Sequence, residues 1–243
     1  MEKNSSKYLS SAVHNNADLC QTMMSVHGKK TARTPLAFLC LDIPPPYYPN
    51  FITLTKAGID DQLQELKALS VHCGGIFGVK DSFSKLDLTD FGFSRLFDAK
   101  WVYRQAGGNA YDLAEGWKRI ENTKDLMLWE ESWKSCGSPT EYHMFPEALL
   151  KIPNISFFGK ETDDGFEAGC IGNLSNDCIG LSNIFCRTPS SILFDEAARC
   201  AAALDPTKLL VGYDSGEDLQ YMYEIGFSSI GELQIWISDA AKF

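Results

Sequence analysis

LVGYDSGEDLQYMYEIGFSSIGELQIWI, residues 210–237, carries the clearest structural signal in this 243-residue chain. KLLVGY (208–213) is an apolar run of the length and composition of a buried strand. Ser215 with Asp218 has the chemistry of an N-cap pair, and Leu219, Met222 and Tyr223 then share a helical face. Gly226 supplies a left-handed stop. FSSIGELQIWIS (227–238) follows as a predicted strand pair.

Upstream of this segment the pattern changes to a meander. ISFFGKE (155–161), EAGCIGNL (167–174) and CIGLSNIFC (178–186) are strand-like runs, with turn-forming DDG (163–165) and SND (175–177) between them. SILFDEAARCAAA (191–203) is a predicted helix. Before the meander, Asn122 with Asp125 marks a helix start, and Leu126, Trp129 and Trp133 fall on one face as a core stripe. FPEALLKIPN (145–154) reads as a short helix and turn. From residue 100 the order is strand, helices, three antiparallel strands, helix, strand, helix, strand pair. That order predicts a mixed sheet with helices on both faces, an α/β (α+β) three-layer domain.

The N-terminal third is organised differently. Residues 1–34 are polar and carry five Lys/Arg against two acids, which suggests a mobile arm or lid with a short helix ending near Gly28. LAFLCLD (36–42), FITLT (51–55) and GGIFGV (74–79) are strand-like, and IDDQLQELKAL (59–69) is helical. VKDSFSKLDLTDFGFSRLFDAKWVY (79–103) resembles residues 211–237. Each stretch has Asp-Ser at a strand end, a short helix, Gly-Phe-Ser, and a strand pair containing Trp.

Composition bounds the function. The chain is 44% hydrophobic and 22% charged, which is ordinary for a globular protein. A formal net charge of −10 leaves too little basic surface for nucleic acid. No apolar run reaches the roughly 20 residues a membrane helix needs, and the N-terminus lacks a signal-peptide core. The expectation is a cytoplasmic protein with no membrane and no nucleic-acid partner. The eight cysteines contain no CxxC pair and are expected to be reduced structural thiols. The four histidines have no finger-like spacing, so no metal site is predicted. His72 and Cys73 are adjacent and would point to opposite faces of a strand, which argues against a nucleophile–base pair.

The strand order together with residues 210–237, GLSNIF and GFEAGCIGN resembles the GNAT acetyltransferase superfamily. The resemblance covers residues 100–243 and, through the repeat, extends to 35–104. More narrowly, the chain is similar to a tandem GNAT-like protein with a degenerate N-terminal half. This implies a polar arm (1–34), a degenerate half-domain (35–104) and a complete GNAT-like domain (105–243). It also implies an acyl-CoA-dependent N-acyltransferase that moves an acetyl group from acetyl-CoA to a small-molecule or peptide amine. In the family, the sheet splays between the strands that here are CIGLSNIFC and KLLVGY, and the free backbone receives pantetheine. The resemblance therefore assigns cofactor binding to Ile184, Phe185, Cys186, Arg187, Ser190 and Ser191, and assigns the acid that protonates the leaving thiolate to Tyr223.

The sequence departs from the family at both places. The phosphate loop has Pro189, Ser190 and Ile192 where small, glycine-rich positions are usual. Met222 stands at the position usual for the tyrosine, and Tyr223 is one residue, or about 100° of helix, away. A catalytically inactive GNAT-like binding or regulatory module is the alternative. Glu130 and Glu167 are available acids, expected as solvated surface rather than as a base.

Overall fold

A computed structural model describes residues 2–71, 73, 75–105, 107 and 112–238. The first part of the chain forms α1 (Glu2–Val26), β1 (Thr31–Arg33), β2 (Ala37–Cys40), β3 (Phe51–Thr53), α2 (Ile59–Ser70), β4 (Phe77–Asp81) and β5 (Ser94–Gln105). The remainder forms β6 (Trp117–Ile120), α3 (Thr123–Ser135), β7 (Ile155–Thr162), β8 (Gly165–Leu174), β9 (Cys178–Cys186), α4 (Ser191–Ala202), β10 (Leu209–Asp214), α5 (Gly216–Glu224) and β11 (Ser228–Ser238). The mixed α/β class expected from the sequence is the one observed. No helix among the described residues is long and apolar enough to cross a membrane.

The chain divides into two compact units. The first contains residues up to Trp101 and those from Ile230 onward, and the second contains Val102–Ser229. This differs from a division into an arm, a half-domain and a complete domain. The strand expected to finish the C-terminal domain belongs to the first unit, where Gln234–Ser238 of β11 pair antiparallel with Asp81–Phe77 of β4.

In the first unit, β1, β2 and β3 are antiparallel neighbours, and β3 lies parallel to β4. Phe51, Leu66, Phe77, Val79, Phe93 and Trp236 form its core. Residues 2–26 are a 25-residue helix rather than an arm. Its Ala12, Val13, Ala17, Cys20, Met23 and Met24 are buried at helical spacing. The expected strand pair at 227–238 is one strand, because Gly231 is no turn. A Cβ there would meet the Leu9 side chain of α1 at 2.9 Å, so the glycine makes room for the helix. The Trp-containing stretch 94–105 is likewise one strand.

In the second unit, β6, β7, β8 and β9 form an antiparallel run and β10 lies parallel to β9. The short strand β6 has no counterpart in the sequence reading. On one face, Phe194, Ala197 and Ala201 of α4 and Leu219 and Met222 of α5 pack on Cys170, Ile179 and Leu210. The other face holds α3, as the aromatic stripe predicted. The fully buried Trp129 meets Phe145, Phe157 and Phe185 edge-on at 5.0–5.1 Å, and its Nε1–H donates to the Phe158 carbonyl at 2.8 Å. Asn122 caps α3 by accepting from the Asp125 N–H at 2.9 Å, as expected. The segment Glu147–Lys151 is a 3-10 helix.

Candidate functional site: a parting of two parallel strands

Strands β9 and β10 run side by side only briefly. Their register is Leu209 with Cys178, Leu210 with Ile179 and Val211 with Gly180. Beyond these pairs, β9 continues for six residues and β10 for three without pairing to each other. The cause is visible on the far side of β9. Between Gly169–Phe185 and Ile171–Ser182, β9 spends three residues where β8 spends two. The extra residue falls at Asn183, whose φ of 49° is left-handed. A bulge of this kind bends its strand and ends regular pairing. Gly212 sits where the strands begin to part, and a Cβ there would lie 2.8 Å from the Leu181 carbonyl oxygen.

Alternation along each strand decides which side chains border the opening. Leu210 packs under α4 and α5, so Gly212 and Asp214 share that face. On β9, Ile184 and Cys186 face the same core, while Phe185 turns to Trp129 on α3. Of the three residues expected to offer backbone, Phe185 is thus fixed on the α3 side and its side chain cannot enter the opening from the α4 side. Burial pushes the Cys186 thiol up to about 12 and the Cys200 thiol up to about 11, and it raises Cys170 well above its ordinary value. These thiols stay protonated and serve as packing groups. All eight cysteines are free, and no cluster of three or more His, Cys, Asp or Glu among the described residues could hold a metal. His72 lies outside the described residues.

After β9 the chain enters α4. Ser190 is its N-cap, accepting from the Leu193 N–H at 3.3 Å. Its φ of −159° is ordinary extended backbone, so no glycine is required there. Pro189 precedes the cap, so its missing N–H takes no donor from the first turn. Ser191 opens the helix half-buried, and Ile192 is 70% exposed. The first turn of α4 holds no acidic residue, leaving its N-terminal potential positive. Arg187 is exposed, and its guanidinium donates to the Asp164 carbonyl in the β7–β8 turn at 2.9 Å. The serines and the helix start therefore fit a phosphate group, whereas Arg187 is engaged by the turn.

Across the opening, Met222 of α5 is 1% exposed in the core, and Tyr223 is half-buried against the same core. Ser215 occupies the N-cap position of α5 without the expected side-chain cap. Its N–H instead donates to Asp214 Oδ1 at 3.1 Å. Asp214, which the sequence reading did not single out, is half-buried at the end of β10. Burial and then the Asp218 charge push its carboxyl up to about 7. Its only sequence signal was Asp-Ser directly after an apolar strand. Glu130, expected on the surface, is buried. Its carboxylate accepts from the Met144 and Phe145 N–H groups at 2.8 and 3.0 Å and pairs with Lys134 and His143 at 2.9 and 3.0 Å. It is a staple for the segment after α3. Glu167 is half-buried and lies 3.4 Å from Lys160.

No family profile and no curated protein matches this sequence. Solved structures do match. A putative GNAT-family acetyltransferase from Novosphingobium aromaticivorans superposes with a TM-score of 0.59 at 10% identity, covering 87% of this chain and 92% of its own. A GCN5-related N-acetyltransferase from Kribbella flavida gives 0.56 at 10% identity, over 93% and 95%. The fold is that of the GNAT superfamily. An N-myristoyltransferase of Saccharomyces cerevisiae, solved with bound myristoyl-CoA, superposes on this chain with a TM-score of 0.55 at 10% identity. It covers 85% of this chain and 65% of its own.

Proposed function

We propose that the second unit is an acyl-CoA-dependent N-acyltransferase that takes acetyl-CoA into the β9–β10 opening and passes the acetyl group to a small-molecule or peptide amine. The observation that carries this reading is the loss of pairing after Val211 and Gly180. It leaves one edge of β9 without a strand partner at a place where an amide-bearing chain can align as a further strand would. The pantetheine amides are assigned to the backbone of Ile184, Phe185 and Cys186. The phosphates are assigned to the start of α4, with the hydroxyls of Ser190 and Ser191 and, after release from the Asp164 carbonyl, with Arg187.

In the reaction, the amine nitrogen attacks the thioester carbonyl carbon. The new C–N bond forms, the C–S bond breaks and the nitrogen releases a proton to solvent water. The departing thiolate takes a proton, for which Tyr223 is the candidate donor. The fold shared with acyltransferases of two kinds, one of them holding myristoyl-CoA, supports the reading.

Calorimetric titration with acetyl-CoA and CoA tests it, paired with chromatographic detection of CoA release over a panel of amines. Saturable binding with turnover is expected, and absence of binding at millimolar ligand rejects the proposal. The burial of Met222 and the engagement of Arg187 favour a second reading, a binding module without chemistry. That reading requires saturable binding and no CoA release with any amine.

A further inference from the structure

Resting on the acyl-CoA reading, we infer that Asp214 is a ligand-contacting residue at the mouth of the β9–β10 opening, and that acyl-CoA binding there is coupled to uptake of a proton by its carboxyl. The geometry comes first. Asp214 is the last residue of β10 and faces the α4–α5 side, as do Ile184 and Cys186 on the opposite lip. The start of α4, assigned to the phosphates, directly follows that lip. Asp214 accepts one hydrogen bond, from the Ser215 N–H, which leaves its second oxygen without a protein donor among the described residues.

The charges around it reinforce one another. On α5, Glu217 and Asp218 are both acidic and lie in the first turn. On α4, Asp195 is paired with Arg104 at 2.7 Å and Glu196 with Lys160 at 2.9 Å, while Arg199 lies in the last turn. On β9, the Cys186 thiol is neutral at physiological pH. Asp218 is therefore the charge that Asp214 meets, and among the described residues no cation is paired with either carboxylate.

An anionic, phosphate-bearing ligand approaching this mouth meets two different surfaces. With Asp214 ionised, it faces a carboxylate beside a second carboxylate, and the repulsion acts in a half-buried site where water screens poorly. With Asp214 protonated, the repulsion is halved and the O–H can donate to a ligand oxygen. The ligand thus favours the protonated form, and by linkage its affinity falls as pH rises through the range where Asp214 ionises. That range is near neutrality, because burial and Asp218 hold the carboxyl at about 7.

The experiment is calorimetric titration of the full chain with acetyl-CoA at pH 6 and pH 8, in two buffers of different ionisation enthalpy, for the wild type and Asp214→Asn. The wild type is expected to bind about tenfold more weakly at pH 8 and to take up a proton on binding near pH 7. Asp214→Asn should bind equally at both pH values, apart from a change common to both proteins that reports the ligand's own phosphate. Equal pH dependence in the two proteins, or no proton uptake by the wild type, overturns the inference and leaves the acyl-CoA reading standing. Absence of acetyl-CoA binding by both proteins at both pH values overturns the acyl-CoA reading and the inference with it. If Asp214→Asn does not fold, Asp214→Ala takes its place in the same comparison, which again separates the carboxyl from the ligand's own phosphate.

Discussion

The two parallel strand pairs, β3–β4 in the first unit and β9–β10 in the second, share a chain path and differ in how they end. Each pair is joined by a helix, each second strand ends in Asp-Ser, and each then passes a left-handed glycine, Gly92 (φ 79°) or Gly226 (φ 89°), into a strand bearing Trp. At the end of β3–β4 the space is filled by the protein itself. Thr53 accepts from the Ser82 N–H at 2.8 Å and donates to Asp81 at 3.4 Å. Asp81, 1% exposed, also accepts from the N–H groups of Phe83, Lys85 and Leu86. Its carboxyl is raised by burial against the opposing pull of those donors. Asp214 has one donor and an acidic neighbour. The same dipeptide at the same place thus makes a seal in one unit and a titratable lip in the other.

The largest expected effect breaks the seal. Asp81→Ala leaves the N–H groups of Phe83, Lys85 and the buried Leu86 without their acceptor and should cost about 3 kcal/mol by chemical denaturation. The parallel change Asp214→Ala should cost far less, and equal losses would erase the distinction between the strand ends. Gly212→Ala forces a methyl to within 2.8 Å of the Leu181 carbonyl where β9 and β10 part. It should cost about 1–3 kcal/mol and weaken acetyl-CoA binding by deforming the opening. Ser190→Ala removes the α4 cap and should cost about 1 kcal/mol.

A further effect concerns pH. Because the Asp214 carboxyl in the folded state lies at about 7, above its ordinary 3.8, the folded chain holds a proton that the unfolded chain has already lost. Its contribution to stability is present below about pH 4 and is lost as pH rises through 7. Asp214→Asn lacks that loss. Its denaturation midpoint relative to wild type should rise between pH 5 and pH 8, and a midpoint difference independent of pH would contradict the assignment.

Much of the second unit was legible because its signals are local. The turns DDG and SND, the Asn122 cap and the Gly226 stop each act within a few residues, and β7, β8, β9, α4, β10 and α5 follow from them. Helix α1 was hidden because its buried stripe is built from Ala, Val, Cys and Met within a polar sequence. The single strand β11 was misread because Gly231 answers to Leu9, more than two hundred residues away in sequence. The location of the candidate site came only through the family resemblance, which implies a parting at the β9–β10 boundary. Its chemistry was not legible. The length of pairing, the bulge at Asn183, the diversion of Arg187 to a carbonyl and the isolation of Asp214 all depend on contacts between elements.

Amide hydrogen exchange with and without acetyl-CoA tests the central claim most directly, because it reads both strand pairs in one experiment. Protection of the backbone at Ser182–Cys186 and at the start of α4, with no change at Phe51–Thr53, is the result the account predicts. Exchange at Ser182–Cys186 that stays unchanged at saturating ligand, or protection confined to Phe51–Thr53, would contradict it.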